Sequence, residues 1–308
     1  MSELILHHYP PSPVTEKVRT AFGVKGLAWT SVVENRLPPR PELFAMNGGY
    51  RRVPVLQIGA DIYCDSQIIL QELERRFPEP SFFPGGYVGL PTAFSRFVDS
   101  ELFGLAFRVA VAPVAAGLPP EFVADRARLY IGAGGDMERE LKDLPHTLAQ
   151  LRIAMGWFDA RLGPDGVYLA GAAPGLVDLQ VWWIYWFIRE RWDGATDFFA
   201  EFPALNAWAA RMDAIGHGEE TSKTPLEALA IAKAATPDSP THKDPRDPQG
   251  LKPGMSVKIA PLGDSGETPV AGVLRSVARD AIALTMTHPD CGETAVHFPR
   301  MGYRIEIA

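Results

Sequence analysis

Ser12 stands where a helix is predicted to open, in the run Ser12-Pro13-Val14. A hydroxyl there can cap the helix by accepting a backbone N–H, with Pro13 at the first helical position. It can also give its proton to an anion drawn toward the positive helix end. The two roles are compatible, because a hydroxyl accepts and donates at once. Tyr9, at the end of the first predicted strand, offers a second hydroxyl. Another helix start, at Asp65-Ser66, presents unsatisfied N–H groups that attract a carboxylate. Between them lies Val53-Pro54. Proline cannot donate to a sheet ladder, so this pair marks an edge or a cis bond, and the cis form turns the Val53 backbone outward for an extended peptide to meet. His7 and His8 read as strand residues, and no His/Cys/carboxylate spacing describes a metal site.

These residues need a scaffold. Residues 4–8 read as a strand, a Pro-rich turn feeds a helix through Lys17, Val18, Ala21 and Phe22 that stops near Gly26, and residues 28–33 form a second strand. Residues 54–58 and 62–64 make a hairpin around Gly59-Ala60-Asp61, followed by the helix from Asp65-Ser66. Strand, helix, strand, helix, hairpin, helix is the order of a thioredoxin-like sheet. Residues 78–89, rich in Pro, Gly and Phe, break the pattern. Apolar residues then recur at helical spacing over 92–116, 137–162, 203–212 and 225–235, while 179–192 is apolar nearly all round, as the centre of a bundle would be. Residues 236–250, TPDSPTHKDPRDPQG, read as a linker that cannot pack. Beyond it the period becomes two, with strands at 256–260, 270–277, 281–287, 295–298 and 303–307.

The predicted architecture is an α/β thioredoxin-like domain at 1–83, an all-α helical bundle at 90–235, the linker 236–250 and a small all-β, barrel-like domain at 251–308. The last is marginal alone, so it is expected to pack on the body or on a neighbouring subunit. Its six basic side chains are matched by six acidic ones, and the whole chain of 308 residues carries −7, which excludes wrapping nucleic acid. An apolar fraction of 46% with 22% charged residues is that of a globular protein, and no run of about 18 apolar residues predicts a membrane span. Two distant cysteines, Cys64 and Cys291, fit a reducing, cytoplasmic setting, with Cys64 a core residue.

The runs Arg51-Arg52-Val53-Pro54-Val55-Leu56 and Cys64-Asp65-Ser66-Gln67-Ile68-Ile69-Leu70, with Ser12-Pro13-Val14 and Lys17-Val18-Arg19, resemble the glutathione transferase superfamily of the serine-dependent type. The resemblance covers the first domain well and the second more loosely, and does not reach the last quarter. It implies glutathione as co-substrate, its thiolate attacking a small hydrophobic electrophile in detoxification, and a homodimer. Ser12 is the implied catalytic residue and Tyr9 the runner-up. Val53, before Pro54, would hold the cysteinyl backbone, Asp65 and Ser66 the γ-glutamyl end, and Arg52, or more weakly Arg40, the glycine carboxylate. Phe103, Phe107 and Trp182 are expected to line a pocket between the domains, with Tyr50 at its rim. Ser12-x-x-Thr15 replaces a Cys-x-x-Cys pair, which argues against disulfide exchange. In the second domain Gly175 stands where relatives have a capping Ser or Thr, with Asp178 three residues on. Other readings are a non-catalytic binding or scaffold protein of the same fold, or a glutathione-dependent isomerase, dehalogenase or peroxidase.

A thiol titrates near pKa ~8.5, and lowering that by about two units requires roughly 2.7 kcal/mol of preference for the anion. One bond to a charged group contributes about 1.5–3 kcal/mol, and a helix N-terminus about 0.3–1. One well-placed hydroxyl is therefore sufficient.

Overall fold

The computed structural model describes residues 3–263 and 266–308, and the chain divides into two compact units. Asp264, one of the six acids counted in the last segment, lies outside the described residues. The first unit comprises Met1–Val18, Gly26–Arg76 and Gly218–Ala308; the second comprises Arg19–Lys25 and Phe77–His217.

The chain opens with β1 (Ile5–His8) and α1 (Pro13–Lys25), a helix that belongs to the first unit up to Val18 and to the second from Arg19. The first unit continues with β2 (Ala28–Val33), α2 (Pro41–Asn47), β3 (Val55–Ile58), β4 (Asp61–Cys64) and α3 (Ser66–Arg76), the predicted order. β1 runs parallel to β2 and antiparallel to β3, which is antiparallel to β4. The sequence β2-β1-β3-β4 is the thioredoxin-like sheet. His7 is fully buried in it, its ring nitrogens 2.9 Å from Glu34 Oε1 and 2.9 Å from Gln57 Oε1, so a strand histidine joins three segments.

In the second unit are α4 (Gly89–Phe97), α5 (Phe103–Val111), α6 (Pro120–Tyr130), α7 (Met137–Lys142), α8 (Leu144–Leu162), α9 (Leu176–Arg191), α10 (Ala195–Phe199) and α11 (Pro203–Ile215). α9 is buried along most of its length, as its all-round apolar sequence requires. Its N-terminus explains the missing capping hydroxyl. A Cβ at Gly175 would lie 2.7 Å from Pro84 Cδ and 2.8 Å from the Phe82 carbonyl oxygen, so no side chain fits there. Asp178 serves the cap from the other side, accepting from the N–H groups of Leu169 (2.7 Å), Ala170 (3.0 Å) and Gly175 (3.0 Å) and from Trp208 Nε1 (2.8 Å).

The chain then returns to the first unit through β5 (Glu219–Ser222), α12 (Pro225–Ala234), β6 (His242–Lys243), β7 (Ser256–Pro261), β8 (Val270–Val277), β9 (Ala281–His288), β10 (Gly292–Pro299) and β11 (Tyr303–Ile307). Three expectations change here. Residues 225–235 were assigned to the bundle by their helical period, but α12 lies with the sheet. A Thr224–Glu227 capping box starts it, Ala228 and Ala232 let it approach closely, and Gln57 Nε2 donates to the Ala228 carbonyl at 2.9 Å. The segment 236–250 is no free linker. Asp238 N–H donates to Asp61 at 2.7 Å, β6 pairs with β8, and Asp247 caps the Leu251 N–H at 2.9 Å while pairing with Arg300. Finally, the five predicted strands form, but among the described residues their pairing does not close a barrel. They follow the open path β11-β7-β8-β9-β10, and the outer edge of β10 pairs in parallel with β4, giving one eleven-stranded sheet.

β10 stays on β4 for reasons beyond the ladder. Thr294 Oγ1 donates to the Met46 carbonyl at 2.8 Å, filling an acceptor that the end of α2 leaves open. Gly48, at φ 71, ends α2 in the left-handed region that favours glycine, and the Met286 side chain lies over it, its Cε 2.3 Å from where a Cβ would be. His297 Nε2 donates to Asp61 Oδ1 at 2.8 Å and stacks on Tyr63, with centroids 4.4 Å apart. One apolar core runs through both halves, from Leu43, Val55 and Ile62 to Leu274, Val296 and Phe298.

Burial opposes ionisation of Asp61, but the His297 bond and charge and the Asp238 N–H outweigh it, holding its carboxyl below the usual range. A carboxyl whose folded pKa is depressed adds stability above its unfolded value, about 3.9, and loses it as pH falls through the folded value. Urea midpoints measured from pH 5 downward are therefore expected to fall below about pH 4, and Asp61→Asn should flatten that fall while lowering stability at pH 7. An unchanged acid slope in Asp61→Asn would remove this contribution.

Candidate ligand site at the end of the sheet

Strand register decides which residues meet. His7 pairs with Val55, and Val55 pairs with Cys64. The chain therefore leaves β1 toward Ser12, enters β3 from Val53-Pro54 and leaves β4 into Asp65, all at one end of the sheet. The Val53–Pro54 bond is cis, and among the described residues no hydrogen bond engages the Val53 backbone. Ser12 is buried and caps α1: its Oγ accepts the Thr15 N–H at 3.3 Å, while its N–H donates to the Tyr9 carbonyl at 3.0 Å. Tyr9 is half-buried nearby in sequence. Asp65 has φ 96, the left-handed region that costs a non-glycine residue about 1–3 kcal/mol. Its Oδ1 accepts the Gln67 N–H at 2.8 Å, and Ser66 begins α3, buried. Burial and the neighbouring Asp65 push the Cys64 thiol well up, as suits a core residue.

The C-terminal segment brings two groups that no local pattern announces, Tyr303 on β11 and Glu267 in the loop before β8. Tyr303 donates its hydroxyl to Asp65 Oδ2 at 2.9 Å and lies 2.8 Å from the Tyr50 hydroxyl. Since the Tyr303 proton goes to Asp65, Tyr50 must donate to Tyr303. Burial, then the Asp65 charge, raises both phenols well above their ordinary value, so the chain Tyr50 to Tyr303 to Asp65 keeps its protons. Glu267, its side chain 3% exposed, grips the Arg52 fork. Arg52 Nε donates to its two oxygens at 2.8 and 3.1 Å, and Nη2 also reaches Oε2. Burial works against the Arg52 charge; the Glu267 bond outweighs it.

Arg40 is committed elsewhere. It is buried, and its guanidinium donates to the backbone carbonyls of Asn35 at 2.8 Å, Arg36 at 3.2 Å and Arg51. The expectation that it faces a ligand carboxylate gives way to a loop-tying role. Phe103, Phe107 and Trp182 belong to the core of the helical unit. Phe103 packs on Tyr130 and Trp183 with centroids 4.9 and 5.0 Å away, Phe107 lies 5.0 Å from Tyr130, and Trp182 donates to Thr20 Oγ1 at 3.0 Å. Tyr50, expected at a rim, is buried in the sheet unit. Tyr303 and Glu267 escaped sequence reasoning because they lie 238 and 215 positions from their partners. Among the described residues no cluster of side chains could hold a metal ion.

Residues 6–81 match the family model described as the glutathione S-transferase N-terminal domain. The tobacco (Nicotiana tabacum) protein named Probable glutathione S-transferase parA is 22% identical over 237 residues, 76% of this chain and 89% of its own. The crystal structure of a GST-like protein from Pseudomonas syringae is 32% identical, covers 100% of both chains and superposes with a TM-score of 0.79. A glutathione S-transferase from Methylobacterium radiotolerans, solved with glutathione sulfonate, is 21% identical, with a TM-score of 0.51 over 72% of this chain and 97% of its own. The first of these structures carries the C-terminal strands in its match; the second stops short of the full chain.

Tyr303→Phe removes a bond to a charged carboxylate and leaves the buried Tyr50 hydroxyl without its acceptor, whereas Tyr50→Phe removes a single neutral bond. Urea unfolding should show a loss of about 2–3 kcal/mol for Tyr303→Phe and about 1 for Tyr50→Phe. Equal losses would contradict the donor order assigned to the pair.

Proposed function

The chain belongs to the glutathione transferase superfamily, and from that premise we propose that it binds glutathione or a close γ-glutamyl thiol where Ser12, Val53 and Asp65-Ser66 meet, and transfers the thiolate to a small hydrophobic electrophile. The register that gathers these three segments at one end of the sheet carries the reading. The Val53 N–H and carbonyl receive the cysteinyl part as an added strand would be received. Ser66 and the N–H groups opening α3 take the γ-glutamyl carboxylate, and Asp65 faces its amine. Ser12 keeps its cap bond through an oxygen lone pair and donates its proton to the sulfur. The protein acts as a homodimer in the cytoplasm, a reducing compartment that suits two buried free cysteines. Glutathione sulfonate bound by the Methylobacterium relative supports the ligand class.

A second reading, a non-catalytic binding protein, is favoured by one observation: Arg52 and Asp65 already hold partners from the C-terminal segment, Glu267 in the loop before β8 and Tyr303 on β11. Conjugation of glutathione to an aromatic halide separates the two. Ser12→Ala should lower kcat/KM about 100-fold, the equivalent of roughly 2.7 kcal/mol. The pH at which the rate rises should move up toward ~8.5, while glutathione affinity stays within about threefold and Ser12→Thr retains activity. Full activity in Ser12→Ala would remove Ser12 from the mechanism, and no conjugation by the unaltered protein would favour the binding reading.

A further inference from the structure

Two arginines were expected to meet the terminal carboxylate of the tripeptide, and both are engaged. Arg40 is spent on three backbone carbonyls within its own loop. Arg52 is the one of the pair with an exposed flank, its side chain 32% exposed, but its fork is closed by the Glu267 carboxylate. Glu267 sits as a ligand carboxylate would, with Nε and Nη2 both directed at its oxygens. Its own side chain is 3% exposed, so it is not a loose surface partner that salt or a competitor removes freely. A tripeptide bringing a second carboxylate to Arg52 must displace Glu267 into a less favourable setting or accept like-charge repulsion beside it.

We infer that Glu267 is a specificity-determining residue of this thiol site: it occupies Arg52 and selects γ-glutamyl thiols whose carboxylate at that end is masked or absent over free glutathione. The inference rests on the site proposed above and goes beyond it by naming the ligand class. The Tyr303 bond to Asp65 leaves the other end differently placed. A phenol donating to one Asp65 oxygen brings no opposing carboxylate there, so the Asp65 oxygens can still accept from the ammonium of a γ-glutamyl group. The selection therefore falls on the carboxylate facing Arg52 and spares the γ-glutamyl end.

Calorimetric titration of the full chain with glutathione and with its glycyl monoethyl ester tests this. The unaltered protein should bind the ester about tenfold more tightly than glutathione. In Glu267→Gln, which keeps the shape and removes the charge, glutathione affinity should rise about tenfold with little change for the ester, so that the preference disappears. If the unaltered protein binds glutathione as tightly as the ester, or if Glu267→Gln leaves the ratio unchanged, the assignment of Glu267 is overturned while the thiol site stands. Because the first comparison uses no variant, misfolding of Glu267→Gln cannot shield the inference. Absence of binding by both ligands to both proteins overturns the site itself, and this inference with it.

Discussion

The parallel pairing of β10 with β4 is the contact from which the other features of the sheet unit follow. A thioredoxin-like sheet ends at β4 with a row of unpaired N–H and carbonyl groups, an edge open to any extended chain. Here the protein's own C-terminal strands take it, with His297 and Tyr63 in register. The register then dictates what arrives at the end of the sheet where Ser12, Val53 and Asp65 lie. β10 runs in the direction of β4, so its exit points the same way as Asp65, and the turn after Pro299 starts β11 at Tyr303, within reach of the Asp65 carboxylate.

That docking changes the electrostatics of the site without touching its backbone frame. The cis peptide at Pro54, the cap at Ser12 and the left-handed Asp65 all belong to the N-terminal part of the chain. The side chains expected to face the ligand are different: Asp65 accepts from Tyr303, and Arg52 is neutralised by Glu267. A half-buried ion pair of this kind contributes little to stability, because Glu267 has lost its water to gain a partner that keeps an exposed flank. It can contribute much to selection, since whatever replaces one partner must leave the other satisfied. The stabilising work lies in the apolar core shared by the two halves of the unit and in the small contacts around it, the Thr294 hydroxyl on α2 and the Met286 side chain over Gly48 among them.

Gly175 shows how a departure from a family pattern can have a local cause. Read as sequence, it is a weakened cap; in the helical unit it is the residue that lets α9 start against Phe82 and Pro84, and the Leu176 N–H donates to the Phe82 carbonyl at 2.7 Å. Asp178 compensates by accepting four donors from three stretches of chain. Burial raises its carboxyl pKa even against those donors.

Local chemistry determined much of this protein from sequence alone. The hairpin around Gly59, the helix starts at Ser12 and Asp65, the all-round apolar α9 and the five late strands are properties of neighbouring residues, and neighbouring residues specify them through periodicity, capping and turn preference. β5 was invisible because Glu219–Ser222 is polar and exposed, without alternation, and becomes a strand only by pairing with β2. α12 had a legible helical period, but the partner of its alanine face was not legible, since small residues fit a sheet as well as a bundle. The open path in place of a barrel, and the occupation of Arg52 and Asp65, were decided by tertiary structure alone. An edge strand carries no mark of which strand will pair with it, and a carboxylate 215 residues away along the chain becomes a neighbour only when that pairing is made.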